Sequence, residues 1–302
     1  MARKMRFWRI QSGSGRSVYL RPLLVLALLT ALSLPLSAQV DVMGALSRRH
    51  DLSAGSEVQG RVLVRNASDQ AQMVKVFLTG YQTKADGTTS YADPEDNPRS
   101  NAAWVHLTPA EQVIPANGTA SFHYIIRVPD NEQLAGTYWS MLMVQPEPMK
   151  AYEPPTPSAG KAQVGIRNVT RIGIHLMTHI GQGGRRELRF IDRRLEIAEG
   201  RAVLQLSMEN TGERHLGLEV WAELFDAEGV SIGRFSAGRH GLYPGNATKV
   251  GIDFSGIPAG PYQALIVADN GDDHVFGARY NLEIPVQKAT EAAASEVPPG
   301  GK

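Results

Sequence analysis

Beyond residue 39 the chain is a succession of short stretches in which apolar and polar residues alternate. EVQGRVLVRN (57–66), QMVKVFLTGY (72–81), TASFHYIIRV (119–128), RAVLQLSMEN (201–210) and LGLEVWAELFD (216–226) are examples. A period of two puts neighbouring side chains on opposite faces of a strand. Turn signals rich in Gly, Pro, Asn and Asp separate these runs at roughly 8–12-residue spacing, as in a β-sandwich. A convincing 3.6-residue period is sustained nowhere in this region, so the pattern predicts an all-β protein.

The order of features then repeats. VRNASDQAQMVKVFLTGYQTKADG (64–87) aligns with MENTGERHLGLEVWAELFDAEG (208–229), and PANGTASFHYIIRVP (115–129) with PGNATKVGIDFSGIP (244–258). LAGTYWSMLMV (134–144) aligns with PAGPYQALIVA (258–268), which sets Gly136 and Tyr138 on Gly260 and Tyr262. Two copies of one β unit predict two tandem immunoglobulin-like β-sandwich domains, 39–181 and 182–286, of about seven strands each. Val62, Val64, Val74, Val76 and Leu78 are expected in the first core, and Val203, Leu218, Val220, Trp221 and Leu224 in the second. Each Tyr is expected either to bond back to a neighbouring corner through its hydroxyl or to pack in the core.

The N-terminus changes the picture of charge. Residues 1–21 carry six basic side chains and no acid, and PLLVLALLTALSLPL (22–36) with Ser37-Ala38 follows. This is the layout of a secretory signal, expected to be cut after Ala38. The chain's 31 basic and 30 acidic side chains then become 25 and 30, a net charge of −5. A mildly acidic exported protein is a poor partner for nucleic acid. There is no cysteine, so each domain must be held by its hydrophobic core. The sequons at Asn66, Asn117 and Asn246 sit in turn-forming contexts and are read as turns. Residues 287–302, QKATEAAASEVPPGGK, form a polar tail without a membrane span.

Catalytic signatures do not emerge: no GxSxG elbow, no HExxH, no phosphate-binding Gly-rich loop and no Cys nucleophile follows the signal. His175 and His179 share a face of a predicted strand but stand about 13 Å apart, too far for one ion. DNGDDH (269–274) is read as a turn with solvated acids. An enzyme, a cofactor and a metal site are therefore not expected.

One stretch is expected to carry recognition. QPEPMKAYEPPTPSAGKA (145–162), a Pro-rich loop, precedes a long apolar strand at 169–180. Ile172, Ile174, Leu176 and Ile180 fall on one side, and Arg171, Gly173, His175, Met177 and His179 on the other. Read as an edge strand, it would offer free backbone groups to an incoming strand. Arg171, Ile172, Ile174 and Leu176 are the candidate partner-binding residues, unless that apolar side simply closes the core. Arg171, with Arg48 and Arg49, is a candidate to meet a terminal carboxylate.

TYWSMLMV, the long loop and VTRIGIHLMTHI together resemble the periplasmic chaperones of the chaperone–usher pilus pathway. VLVRNASDQAQMVKVFLTGYQTKADG, AAWVHLTPAEQVIPANGT and VPDNEQLAGTYWSMLMV resemble the WxL-protein-interacting family. Both likenesses span roughly residues 40–285. They imply two immunoglobulin-like domains and a protein partner: a pilin-like subunit for the first family, a surface protein for the second. The chaperone resemblance implies a periplasmic factor that assists assembly of pili or other surface structures by strand pairing. The WxL resemblance implies a structural, peptidoglycan-associated surface component. The chaperones' basic motif in the first strand, and their acidic-Arg run before the late strand, have no counterpart here.

Overall fold

The computed structural model describes residues 40–147, 170–198 and 201–285. The predicted export segment, most of the Pro-rich stretch and the tail lie outside the described residues. The strands of the first half are β1 (Val40–Met43), β2 (Ser47–Leu52), β3 (Glu57–Asn66), β4 (Gln72–Thr79), β5 (Gln82–Thr83), β6 (Thr89–Ser90), β7 (Val105–Thr108), β8 (Glu111–Ile114), β9 (Thr119–Arg127), β10 (Gly136–Glu147) and β11 (Ile172–Ile180). Those of the second half are β12 (Leu188–Ala198), β13 (Arg201–Asn210), β14 (Leu216–Phe225), β15 (Ser231–Leu242), β16 (Ala247–Asp253), β17 (Gly260–Asp269) and β18 (Val275–Ile284). Helix is confined, among the described residues, to two 3-10 turns, Pro94–Asp96 and Ala102–Trp104.

Each half is a sandwich. In the first, the sheet β1-β3-β9-β7 faces the sheet β2-β11-β10-β4-β8, while β5 and β6 pair in a small hairpin. In the second, β12-β13-β16 faces β15-β14-β17-β18. The chain is thus all-β with tandem immunoglobulin-like sandwiches. The first sandwich has more strands than expected partly because its opening segment is split. β1 pairs with β3, the backbone turns at Gly44 (φ 94°), and β2 crosses to the other sheet to run parallel to β11. A positive φ is where glycine is at ease and other residues are strained.

Val62, Val64, Val74 and Val76 are buried in the first core, and Leu78 packs against it. Leu218, Val220 and Leu224 are buried in the second. Val203 and Trp221 are corrections. On β13 the inward side is Ala202, Leu204, Leu206 and Met208, and Val203 is half-exposed on the other side. On β14 Ala222 points inward, while Trp221 lies outside under the guanidinium of Arg234, 3.7 Å from the ring centroid. Both residues stand in unbroken apolar runs, where alternation alone does not choose a face.

The repeat has a structural counterpart, with one shift. Asn66 and Asn210 end β3 and β13, both wholly buried. The Asn66 amide donates to the carbonyls of Gln70, Ile114 and Pro115, and that of Asn210 to the carbonyls of Arg214 and Leu242. Thr119 stands opposite Arg65 and Ala247 opposite Glu209, each one residue before the buried Asn. Asn117 (φ 55°) therefore corresponds to Gly245 (φ 72°), one residue away from the sequence alignment. The two turns share a left-handed position, and Asn and Gly tolerate it best. Of the Tyr pair, the Tyr262 hydroxyl bonds back to the Pro258 carbonyl at 3.0 Å, whereas Tyr138 packs against Trp104 and Arg99.

Candidate partner-binding face

The outer face of the β2-β11-β10-β4-β8 sheet can be read row by row from its register. Phe77, Met143 and Gly173 form one row across β4, β10 and β11, and Thr79, Met141 and His175 the next. Trp139, Met177 and Arg49 follow across β10, β11 and β2, then Thr137, His179 and Asp51. A sheet face turned from its core is usually polar. This one is rich in methionine and aromatics.

Two things cover it. Tyr243 of the second sandwich stacks on Trp139 at 4.6 Å, with Met177 and Tyr81 in the same apolar cluster. The Trp139 indole N–H donates to the Tyr81 carbonyl at 3.0 Å. Further along, Met141 and Met143 lie across Gly173: a Cβ there would stand 2.8 Å from the Met141 sulfur and 3.5 Å from that of Met143. Phe77 is half-buried at the open end of this face, with the Arg171 guanidinium 6.0 Å above its ring. Methionine side chains are flexible and polarisable, and adapt to whatever packs on them.

Of the sequence-predicted contact residues, Ile174 and Leu176 are wholly buried in the first core, and Ile172 is half-buried against it. Their side chains close the sandwich and do not form an outward surface. Arg171 is exposed and donates to the Gln145 side chain. The edge-strand reading of 169–180 is likewise corrected. β11 is flanked by β10 along its length and by β2 from His175 to Ile180. A local pattern does not reveal this cover, because it comes from a strand more than a hundred residues earlier. Only the start of β11 lies beyond the reach of β2. His175 N–H bonds to the Leu46 carbonyl. Backbone groups alternate sides along a strand, so the N–H and C=O of Gly173 point the same way, with no strand opposite among the described residues.

Sequence reasoning missed Phe77, Trp139, Met141, Met143 and Tyr243. The available signal was β10 itself: YWSMLMV is apolar on both sides, the mark of a strand covered on both faces. The other candidate regions serve the fold. Asn270 accepts the Gly217 N–H and donates to Asp272, which pairs with Arg186 at 3.1 Å. No group of three or more His, Cys, Asp or Glu among the described residues is arranged to hold a metal ion.

No protein-family model and no curated protein matches the chain. The WxL resemblance gains nothing from these comparisons. Solved structures that the chain resembles include several chaperones and a PapD-like domain of human CEP192. A chaperone–tip adhesin complex of CFA/I fimbriae matches with 12% identity and a TM-score of 0.42, over 82% of this chain and 100% of that one. The Pseudomonas aeruginosa CupB2 chaperone matches with 13% identity and a TM-score of 0.37, over 81% and 100%. A Salmonella enterica SafA pilin–SafB chaperone complex matches with 16% identity and a TM-score of 0.38, over 79% and 95%. At this identity and these TM-scores they say nothing of mechanism.

Proposed function

We propose that this is an exported, periplasmic binding protein that acts as a chaperone for a subunit of a pilus or other surface structure. It captures the subunit by strand pairing at the start of β11 rather than by catalysis. The observation that supports this reading is the backbone of Gly173, which has no strand opposite among the described residues, beside a methionine-rich outer face. An added strand would satisfy that backbone and cover Phe77, while Met141 and Met143 repack beneath it. Arg171 and Arg49 stand at this face and are exposed, so a terminal or side-chain carboxylate on the incoming strand would find a charge-assisted partner. A subunit that lacks one strand of its own sandwich is the partner class with both needs.

The test is site-specific photo-crosslinking in the producing cell, with the probe placed at Phe77 and, as control, at Ile191 on β12 of the second sandwich. The expected result is one exported subunit cross-linked at Phe77 and not at Ile191, in the soluble periplasmic fraction. Cross-linking from Ile191 alone, or a product found only in the wall-bound fraction, would overturn the proposal.

A further inference from the structure

Where the two cores meet, two imidazoles close on one tyrosine and a third lies beside them. His175 Nδ1 lies 2.9 Å from the Tyr243 hydroxyl, and the His215 ring stands edge-on to Tyr243 at 4.9 Å. Trp139 stacks on Tyr243 at 4.6 Å, and Tyr81 meets His175 edge-on at 4.8 Å. Thr137 ties in the third ring. Its Oγ1 is 2.7 Å from His179 Nδ1 and accepts the His215 backbone N–H at 2.9 Å. His175 and His179 come from β11, while His215 and Tyr243 belong to the second sandwich, so the cluster spans the junction.

The charges around it are mostly of one sign. β2 contributes Arg49 and Asp51, the connection after β11 contributes Arg186, and the second sandwich contributes Arg214 and Arg239. β10 offers only the neutral Thr137 and Trp139, and the loop after β4 the neutral Tyr81. Among the described residues Asp51 is the one carboxylate acting on these rings, and Arg49 stands 3.5 Å from it. Glu213, nearby, is turned to Arg99 and Arg185. The connection between sandwiches holds Gly181 (φ 56°), Gly183 and Gly184 (φ 97°). Arg214 fastens it by donating to the carbonyls of Gly183 (2.6 Å), Ile180 (3.3 Å) and Gly181.

We propose that this junction is an acid-released latch, closed while the three imidazoles are neutral and opened when they take up protons, the sandwiches parting at the glycine-rich connection. A buried imidazolium here would face arginines while Asp51 and Glu213 are already paired with arginines, and a protonated His175 could act toward the Tyr243 hydroxyl as a donor alone. Burial holds His175 below its ordinary value. Burial first, with Arg214, Arg49 and Arg186 working against the opposing pull of Asp51, holds His179 down at about 4. Burial, then His179 and His175, then Arg49 and Arg239, holds His215 at about 4. Once the junction opens, the rings return toward the ordinary value near 6.5. Between about 4 and about 6.5 the open form binds more protons, so the closed form loses ground as pH falls through that window. Above it the closed form is at full strength, and below it the loss is complete. At pH 5 the open-to-closed ratio is expected to rise on the order of thirtyfold for each of His179 and His215. The latch does not depend on the identity of any partner, although His175 and Trp139 belong to the proposed binding face as well.

The chain has no cysteine, so Asp69→Cys and Glu228→Cys place one label on each sandwich. The expected result is a single label-to-label distance at pH 7.5, and a longer-distance population that grows with a midpoint between pH 4 and 6.5. His179→Asn with His215→Gln is expected to weaken that response and move it to lower pH, leaving the share that His175 carries. An unchanged distance from pH 7.5 to 4.5, or a double variant that opens at the parent's pH, would overturn the latch. NMR titration of the ring protons in the unsubstituted protein gives a second reading. Titration of His179 and His215 below pH 5 supports the latch, and titration of either near 6.5 sinks it.

Discussion

A few side chains are fixed by what their backbone surroundings demand. Asn210 is wholly buried and donates to two carbonyls while its own Oδ1 accepts the Gly212 N–H at 3.0 Å. Asn210→Ala should leave those groups unpaired and cost about 1–3 kcal/mol, measured by urea unfolding. Asn66→Ala, the matching change in the first sandwich, should cost a similar amount. Burial of Asn66 and Asn246 also leaves no room for a glycan on either side chain. Gly136 is held by a different constraint. Its φ is 86°, and a Cβ would fall 2.3 Å from the Glu213 carbonyl oxygen. Gly136→Ala should therefore loosen the junction, with a lowered midpoint in thermal unfolding, whereas Gly229→Ala, where a Cβ meets nothing within 4 Å, should pay only its backbone strain.

At the scale of the strand, β13 and β11 show how face assignment decides the outcome of a substitution. Leu204 is wholly buried and Val203 half-exposed on the same strand. Leu204→Asp should unfold the second sandwich, since an unpaired buried charge costs several kcal/mol, about a domain's whole stability. Val203→Asp should leave a folded protein. Circular dichroism with urea titration separates the two, and equal damage from both would contradict the facing seen here. On β11 the same logic applies to Ile174, which sits inside the first core. Ile174→Asp should abolish folding rather than partner capture alone, whereas Arg171→Ala should leave stability within about 0.5 kcal/mol of the parent.

For the molecule as a whole, the two cores are separate clusters joined by few side chains, and Arg214 is the main polar one among the described residues. It is almost fully buried and fastens three carbonyls of the connection between β11 and β12. Arg214→Ala should lower stability by about 2–4 kcal/mol and, in calorimetry, split one unfolding transition into two as the sandwiches lose their coupling. A single unsplit transition at the parent's temperature would show that the apolar contacts of Tyr243 hold the junction unaided.

Period-two patterning and the internal repeat were sufficient for the all-β architecture and the two sandwiches, because alternation is a direct consequence of strand geometry. Most of the core valines and leucines followed from the same rule. It failed at Val203 and Trp221, where three apolar residues in a row leave the facing undetermined, and at Asn117, where one gap-free alignment hid a one-residue shift between the two turns. The proposed binding face was legible only as a stretch around 171–180. That β11 is flanked by β2 from His175 onward, and that Gly173 has no strand opposite among the described residues, depend on a parallel pairing between segments over a hundred residues apart, while the packing of the first core turns Ile174 and Leu176 inward. Likewise His175, His179 and His215 are ordinary, scattered histidines in the chain. Only packing of one sandwich against the other removes their water and surrounds them with arginines, so both the proposed face and the proposed latch rest on the tertiary structure.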